Sequence, residues 1–209
     1  MDDCCAAKSC EIDKLRGTQV RVLQIVFAIN AIMFVAEFTA GLIAQSTALT
    51  ADSVDMFGDA TVYAMSLYAL NRGPRWRAGA ALAKGGIILA FGAWIVFEVA
   101  QKLAYGIAPT ASLMGLFGFI ALAANLACLA LLWRFRRHDI NMRSTFECSR
   151  NDVIANVGVL VAALGVWATG AGWPDIVVGL IVAALFVRSA VSILREAYPQ
   201  LWRSPSPAE

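Results

Sequence analysis

Three carboxylates stand in one short apolar run, Ala51-Asp52-Ser53-Val54-Asp55-Met56-Phe57-Gly58-Asp59-Ala60. A carboxylate at bilayer depth costs about 2.5–3.5 kcal/mol on insertion scales, so it normally faces a partner or a water-filled path. On a helix turning about 100° per residue, the i, i+3, i+7 spacing of Asp52, Asp55 and Asp59 gathers them within an arc of about 60°. Like charges so placed repel each other unless a cation or protons lie among them. A second segment answers the first. Over 145–156, Cys148, Asp152 and Asn156 recur every fourth residue, each step turning the helix by only about 40°, so they share a face. Asp55, Asp59, Cys148 and Asp152 together make four anionic or ionisable ligands, a number suited to a tetrahedral divalent metal. One thiolate among carboxylates fits Zn²⁺ or Cd²⁺ better than Mg²⁺ or Ca²⁺, which prefer all-oxygen shells. Cys148 also has a plainer reading as a small buried apolar residue. Asp52 reads either as an entry or supporting carboxylate near an outer vestibule or as a helix-end residue.

These residues need a scaffold that lies in lipid. Only 15% of the 209 residues are charged and 59% are apolar, whereas a soluble domain carries about 25% charged residues. Apolar runs at about 20–44, 48–70, 78–105, 113–135, 145–169 and 174–194 are each long enough to cross a hydrocarbon core, which takes about 20 helical residues. The expectation is an all-α polytopic membrane protein of six transmembrane helices. It divides into a cytosolic cysteine-bearing tail (1–19), a six-helix transport domain (20–197) and a short cytosolic tail (198–209). The acidic start, Met1-Asp2-Asp3-Cys4-Cys5, is no signal peptide. A net charge of +2 without a basic stripe argues against a nucleic-acid partner. Lys8, Lys14, Arg16 and Arg21 precede the first span. Arg72, Arg75, Arg77 and Lys84 flank the second loop, and Arg134, Arg136, Arg137 and Arg143 the fourth. The other three loops hold only Lys102, so positive-inside bias puts both termini in the cytosol.

The second span then runs inward and the fifth outward, so their polar segments meet near the midplane. Other polar residues have structural readings. Asn30, Glu37, Asn125 and Asn156 are expected to make interhelical hydrogen bonds, with a functional role the alternative for Glu37 as a buried acid, Asp175 to favour the dipole at a helix start, Cys128 to fill core, and Gly85-Gly86 to let helices approach closely, as at a dimer face. Cys4, Cys5 and Cys10 are either soft-metal capture ligands at the cytosolic mouth or exposed tail thiols. A membrane metalloenzyme is disfavoured because no His-Glu-x-x-His signature and no nucleophile beside a base is present. A non-transporting metal sensor is favoured only by the cysteine tail.

The paired Asp55-Met-Phe-Gly-Asp59 and Cys148-Ser-Arg-Asn-Asp152, set on the second and fifth of six helices, resemble the cation diffusion facilitator family, as do Gly172-Trp-Pro-Asp175 and Gly179. The resemblance covers about residues 14–197. It implies export of Zn²⁺, Cd²⁺ or related divalent ions (Mn²⁺, Fe²⁺, Co²⁺ and Ni²⁺ are the alternatives) in exchange for protons. It also implies alternating access in a homodimer, residence in the bacterial cytoplasmic membrane, and no prosthetic group. Two departures bear on that. Cys148 stands where zinc-selective members commonly carry His, and the sequence reads as a short form lacking the C-terminal cytosolic domain, so a dimer is expected to form through membrane helices.

Overall fold

Backbone polar groups in lipid have no water to pair with, so long apolar runs must satisfy them internally as helices. The computed structural model describes residues 3–69, 74–135 and 140–202. Side chains are described from residue 17 onward, with exceptions inside the helices that include Asp59, Lys84, Glu147 and Cys148. The order is α1 (Asp3–Ala44), α2 (Thr47–Ala69), α3 (Pro74–Tyr105), α4 (Ala111–Trp133), α5 (Ile140–Thr169) and α6 (Trp173–Trp202), with no strand among the described residues. Within these helices Gly17–Ala44, Gly85–Tyr105, Ala111–Trp133 and Ser149–Thr169 are long and apolar enough to cross a membrane. A shorter apolar segment, Trp173–Leu185, is described in α6. The chain is an integral membrane protein.

Two helices are longer than the hydrophobic pattern suggests. α1 begins at Asp3 instead of near Val20. The intervening segment contains no proline and is rich in strong helix formers (Ala, Lys, Glu, Leu, Arg), so nothing stops the helix before Gly17. α6 continues to Trp202.

α2 is the hub, packing against all five other helices, while the most extensive pairings elsewhere are α4 with α5 and α3 with α6. α1 buries Val26, Asn30, Met33, Glu37, Ala40 and Ala44 at three- and four-residue steps, while Ile32, Val35 and Ile43 remain exposed. This is the stripe of a helix with one face in the bundle and the other on lipid. Two apolar layers cross the bundle. One joins Ala40, Leu49, Met114 and Val159 near the end that carries the turns at 45–46, 106–110 and 170–172, hereafter the turn end. The other joins Met33, Met56 and Ala121, farther from it. Phe34, Phe38, Phe57 and Phe91 fill the corner between α1, α2 and α3, with ring centroids 5.1–6.0 Å apart. Cys128 is core, as expected, packed with Val26 and Leu132. Gly85 does allow a close approach, but to Leu194 of α6 in the same chain, where an added Cβ would lie 2.7 Å from that side chain.

The turn end is tied together by a buried polar knot around Asp175. α1 ends with Gln45 in the left-handed region (φ 53°) and the Ser46 N–H bonded to the Gly41 carbonyl at 2.9 Å, a Schellman-type stop. Ser46 then caps α2, its hydroxyl accepting from the Leu49 N–H at 3.1 Å. Asp175, in the first turn of α6, lies against the same helix start. Its carboxylate accepts from the Ser46 hydroxyl at 2.6 Å, the Thr47 N–H at 2.7 Å and the Ala48 N–H at 3.0 Å. An anion there also suits the positive end of the α2 dipole. Lys102 of α3 completes the knot, donating to Thr47 Oγ1 at 2.6 Å and pairing with Glu98 at 2.6 Å and Asp175 at 3.4 Å. Asp175 thus stabilises the start of α2 as well as its own helix. Gly179 permits the approach, since a Cβ there would meet Thr47 at 2.6 Å. Asp175→Ala strands three donors, each costing about 1–3 kcal/mol when buried and unpaired. The thermal unfolding midpoint of the detergent-solubilised chain is therefore expected to fall sharply, while that of Leu103→Ala, at an exposed position, stays within error of wild type. An unchanged midpoint for Asp175→Ala would contradict the capping role.

Candidate metal site

α2 and α5 are joined at depth by one short hydrogen bond. Asn156 Nδ2 donates to Asp52 Oδ2 at 2.6 Å, and Asn156 Oδ1 accepts from Asn125 Nδ2 at 3.3 Å, so α2, α5 and α4 are linked through a single amide. Asn125 and Asn156 therefore make the interhelical bonds expected of them. All three residues are buried. Asp52 reaches neither an outer vestibule nor a helix end: it is 1% exposed and turned toward α5.

That bond sets the antiparallel register. At 1.5 Å rise per residue, Asp55 lies about 4.5 Å farther than Asp52 from the turn end, and Asp152 about 6 Å farther than Asn156. The backbone positions of Asp59 and Cys148 follow at about 10.5 and 12 Å on the same count. The two predicted ligand pairs therefore sit level, Asp55 with Asp152 and Asp59 with Cys148, on helices that pack against each other. Asp152 is buried, Asp55 is partly buried, and each interacts within the protein. The side chains of Asp59 and Cys148, and those of Cys4, Cys5 and Cys10, lie outside the described residues. Among the described residues no three His, Cys, Asp or Glu side chains are close enough together to hold a metal ion.

α1 departs from expectation. Asn30 bonds the Val26 carbonyl of its own helix at 3.0 Å rather than a neighbouring helix. Glu37 is fully buried, yet neither carboxylate oxygen has a hydrogen-bond partner among the described residues. The layers one turn to either side of Glu37, Met33–Met56–Ala121 and Ala40–Leu49–Met114, are apolar. Asp52 Oδ1 is likewise buried and unpartnered. Asp52 interacts electrostatically with both Glu37 and Asp55. The sequence signal for Glu37 was its place in the buried stripe of α1. For the Asp175–Lys102 knot it was the isolation of Lys102 among loops otherwise free of basic residues.

A bundle with carboxylates level on two antiparallel helices can bridge a divalent ion between them, and known proteins of similar sequence handle such ions. The family model of the cation efflux transmembrane domain matches residues 23–202. The chain is similar to the zinc transporter ZitB of Yersinia pestis, with 27% identity over 192 residues, 86% of this chain and 62% of that protein. It is also similar to the cadmium, cobalt and zinc/H(+)-K(+) antiporter of Bacillus subtilis (23% over 195 residues, 87% and 63%). The metal cation efflux system protein CzcD of Cupriavidus metallidurans is a third such relative (23% over 202 residues, 88% and 64%). The chain thus spans about three-fifths of the length of these relatives. With a match that runs from α1 through α6, this chain belongs to the cation efflux family, the cation diffusion facilitators.

Proposed function

We propose that this protein exports a divalent heavy-metal cation, Zn²⁺ or Cd²⁺, from the cytosol across the cytoplasmic membrane of a bacterium. The ion binds between α2 and α5 on Asp55, Asp59, Cys148 and Asp152. The carrying observation is the Asp52–Asn156 bond, whose register sets both ligand pairs at common depths. Removing the ion leaves three carboxylates and a thiol together in a low dielectric, where protons take its place. Occupancy by metal or by protons, each excluding the other, is the physical basis of an antiporter, and rocking of helices about a midplane site would expose it to each side in turn. The names of the relatives support zinc and cadmium as cargo, and cobalt as the alternative.

In this reading the turn end faces outward and both termini are cytosolic. Lys102, the one basic residue of the outer loops, is held in buried ion pairs and does not count against that orientation. Residues 20–197 form the transport unit, with 1–19 and 198–209 on the cytosolic side, Cys4, Cys5 and Cys10 capturing metal at the mouth. Two copies associate through membrane helices; Gly86, where an added Cβ would meet nothing within 4 Å, leaves an open face for such contact.

Flux of Zn²⁺, Cd²⁺ and Mn²⁺ into proteoliposomes, with and without an inward-acid pH gradient, tests this. Wild type is expected to carry Zn²⁺ and Cd²⁺ with stimulation by the gradient, Asp59→Ala to lose transport, and Cys148→His to shift preference from Cd²⁺ toward Zn²⁺. Wild-type transport by Asp59→Ala would contradict the site. The register has its own check: a double-mutant cycle on Asp52→Ala and Asn156→Ala is expected to show a coupling of about 1.5–3 kcal/mol in unfolding free energy, as for a hydrogen bond to a charged group. Additive effects would contradict it.

A further inference from the structure

Nothing in the proposed α2/α5 site uses Glu37. It lies on the buried stripe of α1, one turn from Met33 and one from Ala40. On α2, Asp52 holds the matching position, between Leu49 and Met56. The register of the two helices agrees: an added Cβ at Gly41 would meet Thr50, and the tilted rings of Phe34 and Phe57 lie 5.1 Å apart, so Glu37 comes level with Val54, two residues from Asp52. Glu37 and Asp52 therefore share one polar layer, with the Met33–Met56–Ala121 layer on one side and the Ala40–Leu49–Met114 layer on the turn-end side. Both are buried. Three of their four carboxylate oxygens, Oε1 and Oε2 of Glu37 and Oδ1 of Asp52, have no hydrogen-bond partner among the described residues, and the fourth accepts from Asn156.

Ionised carboxylates taken out of water and left without a countercharge cost several kcal/mol each even after relaxation. The contrast with Asp175 is informative, because an equally buried carboxylate in the same protein is met by a lysine, a hydroxyl and two backbone N–H groups. The fold can satisfy a structural carboxylate, and it leaves this pair open. The geometry points to Glu37 and Asp52 as a second cation site, a two-carboxylate station for a divalent metal on the turn-end side of the α2/α5 centre.

Its chemistry is all-oxygen and two-handed, with water filling the other positions as hard-ligand sites allow, so it binds more weakly than a four-ligand centre containing a thiolate. That order of affinities suits the second stop on a path, since an ion must be held well enough to enter and loosely enough to leave. Asp52 lies one turn from Asp55 and interacts with it electrostatically, which makes the two sites neighbours on one face of α2. Release from the station requires the apolar layer of Ala40, Leu49 and Met114 to part. The station rests on the α2/α5 reading for its place in transport, but not for its existence as a binding site.

The test is Zn²⁺ binding at one fixed pH to the full chain in lipid nanodiscs, on a background of Cys4→Ser, Cys5→Ser and Cys10→Ser that removes the N-terminal thiols. Wild type is expected to show a tight and a weaker binding event. Glu37→Gln and Asp52→Asn should each weaken the second by about tenfold or more, with Glu37→Gln sparing the first, and Asp59→Ala should do the reverse. Glu37→Gln is isosteric and removes an uncompensated charge, so without metal it is expected to melt no lower than wild type, which separates lost binding from lost fold. In proteoliposomes it should slow Zn²⁺ flux several-fold without changing the order of metal preference, and Glu37→Asp should restore part of it. A single Zn²⁺ event in wild type, or an unchanged second event in both Glu37→Gln and Asp52→Asn, overturns the station. So does a Glu37→Gln protein that keeps both events and differs only in protons released per Zn²⁺. Loss of the weak event in Glu37→Gln together with an unaffected tight event in Asp59→Ala would uphold the station and refute the α2/α5 site.

Discussion

A carboxylate inside a lipid-embedded bundle must find a donor, a counterion or a proton, and the structure sorts its buried acids by how far that demand is met. Asp175 is fully engaged, by Ser46, Thr47, Ala48 and Lys102. Asp52, a little more than one turn farther along α2, keeps one oxygen on Asn156 and leaves the other open. Glu37 has no hydrogen-bond partner at all among the described residues. Asp175 is closed off by protein donors, whereas Glu37 and Asp52 keep oxygens open among the described residues. A protein that only needed stability would have placed apolar side chains at positions 37 and 52.

α2 is where these demands converge. It touches every other helix, so its rotation and register affect both the α4–α5 pair and the α3–α6 pair. It is pinned at two levels. At the turn end Asp175 and Lys102 fasten its first turn to α6 and α3; deeper, Asn156 fastens Asp52 to α5. Between and below these fixings the packing is small and smooth, with Ala51 and Val54 against Ile95, Val182 and Ala183. Away from the turn end, α2 therefore meets α3 and α6 through apolar contacts and α5 through a hydrogen bond.

Much of this was legible in the residues. Hydrophobic run lengths located all six helices, and the spacing of Asp52, Asp55 and Asp59 singled out α2, which is the hub of the packing, because periodicity and membrane cost act locally. The start of α1 was misjudged since polarity marks where a helix leaves lipid, not where it ends: the segment before Gly17 is polar but helix-favouring. Asp52 was placed too near the surface by counting from the helix end, which says nothing of the neighbour that covers it. Gly85 was read as a contact surface between copies, and only the packing of α3 on α6 shows that Leu194 already occupies it. The Asp175 knot and the open oxygens of Glu37 were legible only as hints, in the isolated Lys102 and in the place of Glu37 along α1. Both depend on which of several apolar helices stand side by side, and lipid-spanning runs of similar composition carry little information about that choice.

The central claim is that one metal ion is shared by carboxylates of α2 and the thiolate and carboxylate of α5. X-ray absorption at the zinc edge, on the lipid-reconstituted chain stripped of its N-terminal thiols and loaded with one equivalent of Zn²⁺, tests it most directly. The account predicts one sulfur scatterer at about 2.3 Å among oxygens at about 2.0 Å, with the sulfur lost in Cys148→Ser. A shell with no sulfur, or one whose sulfur survives Cys148→Ser, would contradict it.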